Sequence, residues 1–230
     1  MRLFFYFWVK YPSLNSIYNI LSYLALGSTI IPFIFWILRR QYFKIHETIV
    51  FILILVSILT EVACYVYQSV FSSDNIIILN GYAIIETTLI CLFYYVTFLN
   101  KWTRIFILLA LFFYLILAIQ QIIINHKGSI GNISLTVEAV IIILLSIFAF
   151  HDLLKRAIYP NILDASVFWI NSAFLIFFAG NLFLYLFSSY LQTHSLYVFF
   201  ELWGLWHSLL NITFYTLISI GFWKTRTSQI

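Results

Sequence analysis

Residues 47–70 read ETIVFILILVSILTEVACYVYQSV, an apolar run with one carboxylate, Glu61, deep in its interior. A helix of about 20 such residues crosses a bilayer, and the run lacks the alternation of polar and apolar residues that a barrel strand requires. It therefore predicts a transmembrane helix. Six other runs have the same character, and the seven predicted helices span residues 17–39, 47–70, 76–99, 102–124, 132–153, 165–188 and 196–222.

The composition is typical of a polytopic membrane protein. Of the 230 residues, 63% are hydrophobic and 9% are charged, and the mean hydropathy is +1.02. Soluble domains carry about 25% charged residues. Because the connections between helices are short, residues 1–230 are predicted to form a single all-α domain in a lipid bilayer. The tail after Trp223 is too short to carry a kinase or another output module.

The basic residues predict the orientation in the membrane. Nine of the twelve Lys and Arg residues follow predicted helices 1, 3, 5 and 7, and the other three are Arg2, Lys10 and Lys127. The positive-inside rule places the nine-charge side in the cytoplasm, with the N-terminus outside and the C-terminus inside. The net charge of +4 thus needs no nucleic-acid partner. Abundant Ile, Phe, Tyr and Asn indicate an AT-rich bacterial genome, and hence a bacterial inner membrane.

The first sixteen residues carry a short aromatic run behind Arg2. A run of about seven residues is the minimum for the apolar region of a signal peptide, and no small-residue cleavage site follows it. Lys10 and Pro12 also interrupt the pattern. We therefore expect an aromatic segment at the membrane interface.

Predicted helices 1–3 and 5–7 share weak similarity. Residues 70–73, VFSS, align with residues 186–189, LFSS, and the same offset brings Glu86 beside Glu201. Because one helix separates the two triplets, both have the same orientation. This favours a 3+1+3 arrangement of parallel repeats.

Four of the eight acidic residues lie inside apolar runs, whereas no Lys or Arg does. A carboxylate in hydrocarbon costs roughly 2.5 kcal/mol or more, so such residues usually face the protein interior and serve a function. Counting about 1.5 Å per residue places them between the outer boundary and the midplane. The predicted outward-facing, ligand-binding pocket contains Glu61, Glu86, Glu138, Asn181, Glu201, Trp203, His207 and Asn211.

Spacing along helix 7 refines this prediction. Trp203, His207 and Asn211 recur every four residues and share one stripe. Glu201 points to a different side, so His207 is expected to meet a partner from helix 3 or 5, and Glu86 is expected to line the same cavity. Contact with lipid headgroups is an equally good explanation for Glu138 and Glu201, because both lie near the outer boundary.

Several acidic residues and a histidine at similar predicted depths in the membrane favour a sensor or receptor for a small ligand or cation. The alternative is a small-solute or ion-coupled transporter of 3+1+3 architecture. A metal-dependent intramembrane enzyme, with Glu86, Glu138 and His207 as candidate ligands, is less favoured. Seven-helix hydrolases of the ceramidase and adiponectin-receptor type carry several histidines, and helix 7 has no second one. Retinal is excluded as a cofactor, because helix 7 offers no Schiff-base lysine before Lys224.

Several short stretches carry a resemblance to a known group. They are IIETT at 84–88, FWIN at 168–171, FAGN at 178–181, LWHS at 205–208 and GFW at 221–223. They resemble small uncharacterised heptahelical membrane proteins of Bacteroidota, which are similar to the seven-helix sensory modules of histidine kinases. The resemblance implies a sensor. Since the chain has no kinase domain, it also implies a separate signalling partner at the cytoplasmic face, with residues 151–156 as a candidate contact surface.

Overall fold

The computed structural model describes residues 16–71, 76–124, 132–156, 161–195, 198–199 and 202–225. Every span is helical. The helices are α1 (Ser16–Ser28 and Ile30–Arg39), α2 (Ile45–Phe71), α3 (Ile76–Thr97), α4 (Lys101–Ile124), α5 (Asn132–Arg156), α6 (Ser166–His194) and α7, which begins as a π-helical turn (Leu202–His207) and continues as an α-helix (Ser208–Lys224).

Seven spans, one in each of α1 to α7, are long and apolar enough to cross a membrane. The prediction of an all-α, seven-helix membrane protein is therefore confirmed, and contact with a lipid bilayer follows from it. Most predicted bounds agree with the structure to within about three residues, a usual uncertainty for helix ends. The orientation in the membrane stays a prediction, as does the interfacial role of the first sixteen residues, of which 1–15 lie outside the described part.

Two bounds differ more. Helix 6 was predicted to end at residue 188, but α6 continues to His194. Ser189, Gln192 and Thr193 resemble loop residues, yet polar residues are equally suited to a helix that extends beyond the hydrocarbon. Helix 7 was predicted from residue 196, and its continuous described part begins at Leu202.

Proline interrupts α1. Thr29 separates the two helical segments, and Pro32 follows three residues later. Proline has no N–H to donate to the carbonyl four residues earlier, here that of Ser28, and its ring crowds the same turn. The Ser28 and Thr29 hydroxyls donate instead to Ala25 O and Leu26 O, at 2.6 and 2.7 Å. The break is thus a proline effect of the kind expected from the sequence.

The most extensive helix contacts define two groups. In one, α3 packs between α2 and α4; in the other, α6 packs between α5 and α7, and α1 lies on α7. The groups meet where α5 contacts α3 and α4. In the 3+1+3 prediction α1 corresponds to α5, but α1 packs mainly on α7 and α5 packs mainly on α6. The repeat therefore stays a prediction from sequence.

Helix α4 is the most peripheral element. Its outward surface consists of large exposed apolar side chains, including Phe106, Leu109, Phe112, Phe113 and Ile123. Exposed apolar area of this size is unusual on a soluble monomer. On a membrane protein the lipid chains cover it, so α4 forms part of the lipid-facing surface.

Close packing between α6 and α7 depends on two glycines. A Cβ atom at Gly180 would lie 2.7 Å from Leu210 Cδ2, and one at Gly221 would lie 2.9 Å from Ile170 Cγ1 and 3.2 Å from Ser166 O. Small residues allow such approaches between membrane helices. Leu210 ends in a flexible group that can move aside, whereas the backbone carbonyl of Ser166 cannot. Gly221 is therefore the stricter requirement.

We expect Gly221→Ala to lower the free energy of unfolding by about 1–3 kcal/mol, the usual cost of overpacking. Gly81→Ala is the matched control, since a Cβ at Gly81 meets nothing within 4 Å. Alanine favours a helix by about 1 kcal/mol over glycine, so the control should be neutral or stabilised. Melting of both variants in detergent measures the effect. Equal shifts in the same direction would contradict the packing argument.

Candidate functional site

The π-helical turn Leu202–His207 brings two ring side chains into the bundle. Trp203 and His207 are 2% and 1% exposed, and their rings stack with centroids 5.3 Å apart at an angle of 29°. Single π turns within α-helices occur frequently at functional sites. The turn therefore marks this end of α7 as a candidate site, and the predicted inward position of Trp203 and His207 is confirmed.

Side chains of the following helical turns stabilise this irregular backbone. Ser208 Oγ donates to Gly204 O at 2.5 Å, and Asn211 Nδ2 donates to His207 O at 2.9 Å. A change from π to α spacing alters which carbonyls find a backbone N–H, so polar side chains nearby can supply the donors. Asn211 is thus buried on the predicted stripe, and its amide group supports the turn.

Asn181 of α6 fixes the orientation of His207. Its Nδ2 atom donates to Phe177 O at 2.9 Å, so its Oδ1 atom faces His207 Nδ1, 2.8 Å away. Because an amide oxygen only accepts, His207 Nδ1 carries a hydrogen. Phe177 also contacts the imidazole ring, with centroids 5.6 Å apart. The sequence placed Asn181 at this depth, but it predicted that His207 would meet helix 3 or 5.

Trp203 packs against three rings, and its indole N–H has no acceptor among the described residues. Its ring centroid lies 5.3 Å from that of His207, 5.4 Å from that of Phe199 and 6.1 Å from that of Tyr185. Its buried Nε1 atom donates no hydrogen bond within the described part of the chain. Leaving a buried donor unsatisfied costs about 1–3 kcal/mol. Such a cost calls for a functional explanation.

A second set of polar groups lies between α2, α3 and α7, and we call it the carboxylate cluster: Ser57, Glu61, Glu86 and Tyr215. Ser57 Oγ and Tyr215 Oη share a hydrogen bond of 3.2 Å. The phenol of Tyr215 interacts electrostatically with both Glu61 and Glu86. Glu86 is 8% exposed and accepts a hydrogen bond of 3.2 Å from Tyr82 Oη, one turn earlier on α3.

Glu61 is the least satisfied member of the carboxylate cluster. The residue is partly buried, and its Oε1 atom is buried and accepts no hydrogen bond among the residues that the structure describes. Glu61 lies one turn, about 6 Å, beyond Ser57 along α2. Since α2 and α7 run in opposite directions, this displacement leads toward the end of the bundle that carries His207. Glu61 therefore lies closer to the depth of the His207 turn than Ser57 does.

Glu138 is a core residue. It is fully buried, and Thr87 Oγ1 donates to its Oε1 atom at 2.6 Å. It also interacts electrostatically with Cys91, one turn from Thr87 on α3. Burial against α3 replaces the expectation of contact with lipid headgroups. Glu86 and Thr87 are consecutive residues of α3 and project about 100° apart around its axis. Glu86 therefore projects from a different side of α3 than the side that Glu138 contacts.

Two predicted features stay untested. Glu201 lies outside the described residues, and the joint position of Glu86 and His207 in one cavity stays a prediction. Within the described part, no group of three or more His, Cys, Asp and Glu side chains is arranged to hold a metal ion. The metal-ligand prediction for Glu86, Glu138 and His207 therefore gains no support from this geometry.

Sequence reasoning missed a buried acid at the opposite end of α2. Glu47 is 1% exposed; its Oε1 atom accepts from Ser166 Oγ at 2.6 Å and lies 3.0 Å from His46 Nε2. Its Oε2 atom accepts from Lys44 N at 2.9 Å. Glu47 reaches back three residues to a backbone N–H, as in a capping box. No clear signal in the sequence predicts it, because Lys44 stands where a capping box has Ser or Thr.

A second missed group joins α3, α5 and α6. Tyr94 Oη donates to Asn171 Oδ1 at 2.8 Å and shares a hydrogen bond of 2.6 Å with Ser146 Oγ. Asn171 Nδ2 donates to Ser146 O at 3.0 Å. Each residue taken singly resembles an ordinary packing residue. Only the fold brings the three together, so no local signal predicts the group.

The bond between Asn181 and His207 is testable by a double-mutant cycle of Asn181→Ala and His207→Ala. We expect a coupling energy of about 0.6–1.7 kcal/mol, as for interhelical hydrogen bonds in membranes. Unfolding free energies of the four proteins measure it. The control pairs His207→Ala with Asn171→Ala, about 15 Å from Asn181 along α6; it should be additive within about 0.5 kcal/mol. Equal coupling in both cycles would argue against the bond.

Comparison with known proteins adds no relative to this picture. No protein-family model, no curated protein and no solved structure matches the chain. The resemblance to heptahelical proteins of Bacteroidota accordingly stays a prediction. The candidate site therefore consists of two sets of side chains. One contains Asn181 on α6 with Trp203 and His207 on α7, and the other is the carboxylate cluster between α2, α3 and α7.

Proposed function

We propose that the protein is a sensor or receptor-like integral membrane protein with an acidic, histidine-containing pocket for a small ligand or cation. The pocket lies in the predicted outer half, between the carboxylate cluster and the Trp203–His207 turn. The observation that carries the proposal is the buried Oε1 atom of Glu61, which accepts no hydrogen bond from the described residues. A buried charge is stable only when it is paired or neutralised, so this carboxylate calls for a proton, a cation or a cationic ligand.

The neighbours of Glu61 support a positively charged occupant. Tyr215 interacts with both Glu61 and Glu86, so two acids approach one phenol. Ten of the twelve Lys and Arg residues lie outside the predicted membrane helices, and the other two, Arg39 and Arg104, lie at helix ends on the predicted cytoplasmic side. With no Lys or Arg in the predicted outer halves of these helices to balance the acids, the field in this region favours cations.

The packing on the predicted cytoplasmic side of the carboxylate cluster favours a receptor over a transporter. Aromatic rings fill the core on the inner side: Phe93 lies 5.4 Å from Phe174, and Phe174 lies 5.9 Å from Phe214. Nearer the end of α7, Phe222 packs on Phe43 at 4.7 Å between ring centroids. A site closed on this side suits a ligand that binds and leaves by the same route.

One observation favours the alternative, a small-solute or ion-coupled transporter. In the described part of the chain, hydrogen bonds between side chains join the two helix groups at five places: Glu47–Ser166, Ser57–Tyr215, Thr87–Glu138, Tyr94 with Asn171 and Ser146, and Gln121–Ser134. We call this the polar seam. Transporters work by rocking one helix bundle against another around a site near the midplane. Hydrogen bonds at this boundary can be exchanged during such a motion, and the aromatic contact between Phe93 and Phe174 would have to slide with it.

As a sensor, the protein would act through a separate partner at the cytoplasmic face of a bacterial inner membrane. His151 and Lys155, at the inner end of α5 in the predicted orientation, are exposed and would be available for such a contact. An intramembrane enzyme is not proposed, since no observation on the described residues favours one.

Ligand-dependent melting tests the pocket. Purified protein in nanodiscs would be melted in sodium, potassium and methylammonium chloride and over a range of pH. We expect one of these cations, or protons, to raise the midpoint, since a ligand at a hundredfold excess over its Kd stabilises by about 2.7 kcal/mol. Glu61→Gln should abolish the rise. Asp152→Asn, an acid at the other end of the bundle, is the control and should retain it.

The proposal would be contradicted if neither protons nor any of these cations raised the melting midpoint of the wild-type protein, or if Glu61→Gln retained the rise.

A flux measurement distinguishes the receptor from the transporter. Proteoliposomes would be loaded with the cation that passes the melting test, and its release would be followed over time. A receptor gives no flux above that of Glu61→Gln vesicles, whereas a transporter does.

A further inference from the structure

The indole of Trp203 is a buried hydrogen-bond donor without an acceptor among the described residues. Buried tryptophans usually find a partner for the indole N–H. Trp203 is 2% exposed, so bulk water does not replace that partner. The described residues thus leave the indole N–H available to a group that enters the site.

The ring of Trp203 is held in a fixed orientation. It packs on Tyr185, Phe199 and His207, and Asn181 in turn orients His207. The backbone below it is a π turn supported by Ser208 and Asn211. A donor on a rigid support is suited to recognition, because little freedom is lost on binding.

The carboxylate cluster supplies the opposite group. Glu61 Oε1 is a buried acceptor without a hydrogen bond from the described residues. Counted from the Ser57–Tyr215 bond, Glu61 lies about 6 Å and Trp203 about 18 Å toward the same end of the bundle. The two unsatisfied groups are thus separated by on the order of 10 Å along the helices. A short organic molecule spans that separation, whereas a single metal ion does not.

We propose that Trp203 Nε1 donates a hydrogen bond to the ligand, and that the ligand is a small organic molecule with a protonated amine at one end and a neutral carbonyl or hydroxyl acceptor at the other. The amine pairs with Glu61 and the acceptor pairs with Trp203. This inference rests on the proposed function, since it uses the same pocket. A neutral acceptor is preferred to a carboxylate because Glu61 and Glu86 repel anions.

The test compares two series of probes of equal length: ω-amino amides with one to six methylene groups, and the corresponding alkylamines. Binding to wild-type protein in nanodiscs would be measured by the rise in melting midpoint and by calorimetry. At the best length we expect the amide to bind roughly tenfold more tightly than the amine, about the effect of one hydrogen bond.

Two variants on the π turn separate recognition from packing. Trp203→Phe keeps an aromatic ring but lacks the donor, so we expect it to bind amide and amine equally. Trp206→Phe is the matched control, because Trp206 Nε1 already donates to Gly180 O at 2.9 Å; it should retain the tenfold preference. If Trp203→Phe does not fold, the preference in the wild-type protein remains the decisive measurement.

Three results would overturn the inference: no preference for the amide at any length, a preference that survives in Trp203→Phe, or no binding by either series. Failure of the proposed function would give a different set of binding results. If both series bind alike and Glu61→Gln weakens both, the acidic pocket stands and only the Trp203 inference is lost. If Glu61→Gln leaves binding and the response to inorganic cations unchanged, both proposals are lost.

Discussion

Inside a bilayer no water is available to satisfy a polar group, so each one must find its partner within the protein. The described helices follow this constraint closely. Glu47 is satisfied by Ser166 and a backbone N–H, and Asn181 is satisfied by His207 and a carbonyl of its own helix. Against this background, three buried side-chain atoms of the described residues accept or donate no hydrogen bond: Trp203 Nε1, Glu61 Oε1 and Oε2 of Glu138, whose other oxygen accepts from Thr87. Trp203 Nε1 and Glu61 Oε1 lie toward one end of the bundle and have opposite hydrogen-bonding character, which is what the proposed ligand requires.

The same constraint shapes the rest of the bundle. Extensive packing and the Asn181–His207 and Asn171–Ser146 bonds hold α5, α6 and α7 together, and bonds of the polar seam join them to α2 and α3. Helix α2 carries Glu47, Ser57 and Glu61 on one rigid rod. Glu61 and Glu47 are about 21 Å apart along it. A displacement of α2 by a ligand at Glu61 would therefore be felt at Ser57–Tyr215 and at Glu47–Ser166, which gives a physical route from the pocket to the opposite face.

The sequence predicts the helices well because the signal is local. An apolar run of the right length specifies a span, and Pro32 specifies its own break. The rotation of each helix is harder to predict, because lipid and protein interior are both apolar and leave little periodic contrast. Glu138 shows the consequence: its depth left the pocket and the headgroup layer as equally good explanations, and its rotation buries it against Thr87. The Tyr94 group was missed for a related reason, since its three residues become partners only when α3, α5 and α6 assemble.

Trp203 and Trp206 show why the unpaired donor is a property of position. Both occupy the same π turn and carry the same indole N–H. Trp206 is 45% exposed and nevertheless donates to Gly180 O, whereas Trp203 is buried and lacks an acceptor among the described residues. Exposure thus does not decide which indole is paired: the Gly180 carbonyl lies within reach of Trp206, and no acceptor of the described residues lies within reach of Trp203. In the described part of the chain, the indole N–H of Trp203 forgoes a hydrogen bond where three rings, that of His207 among them, fix its orientation, as the proposed ligand contact requires.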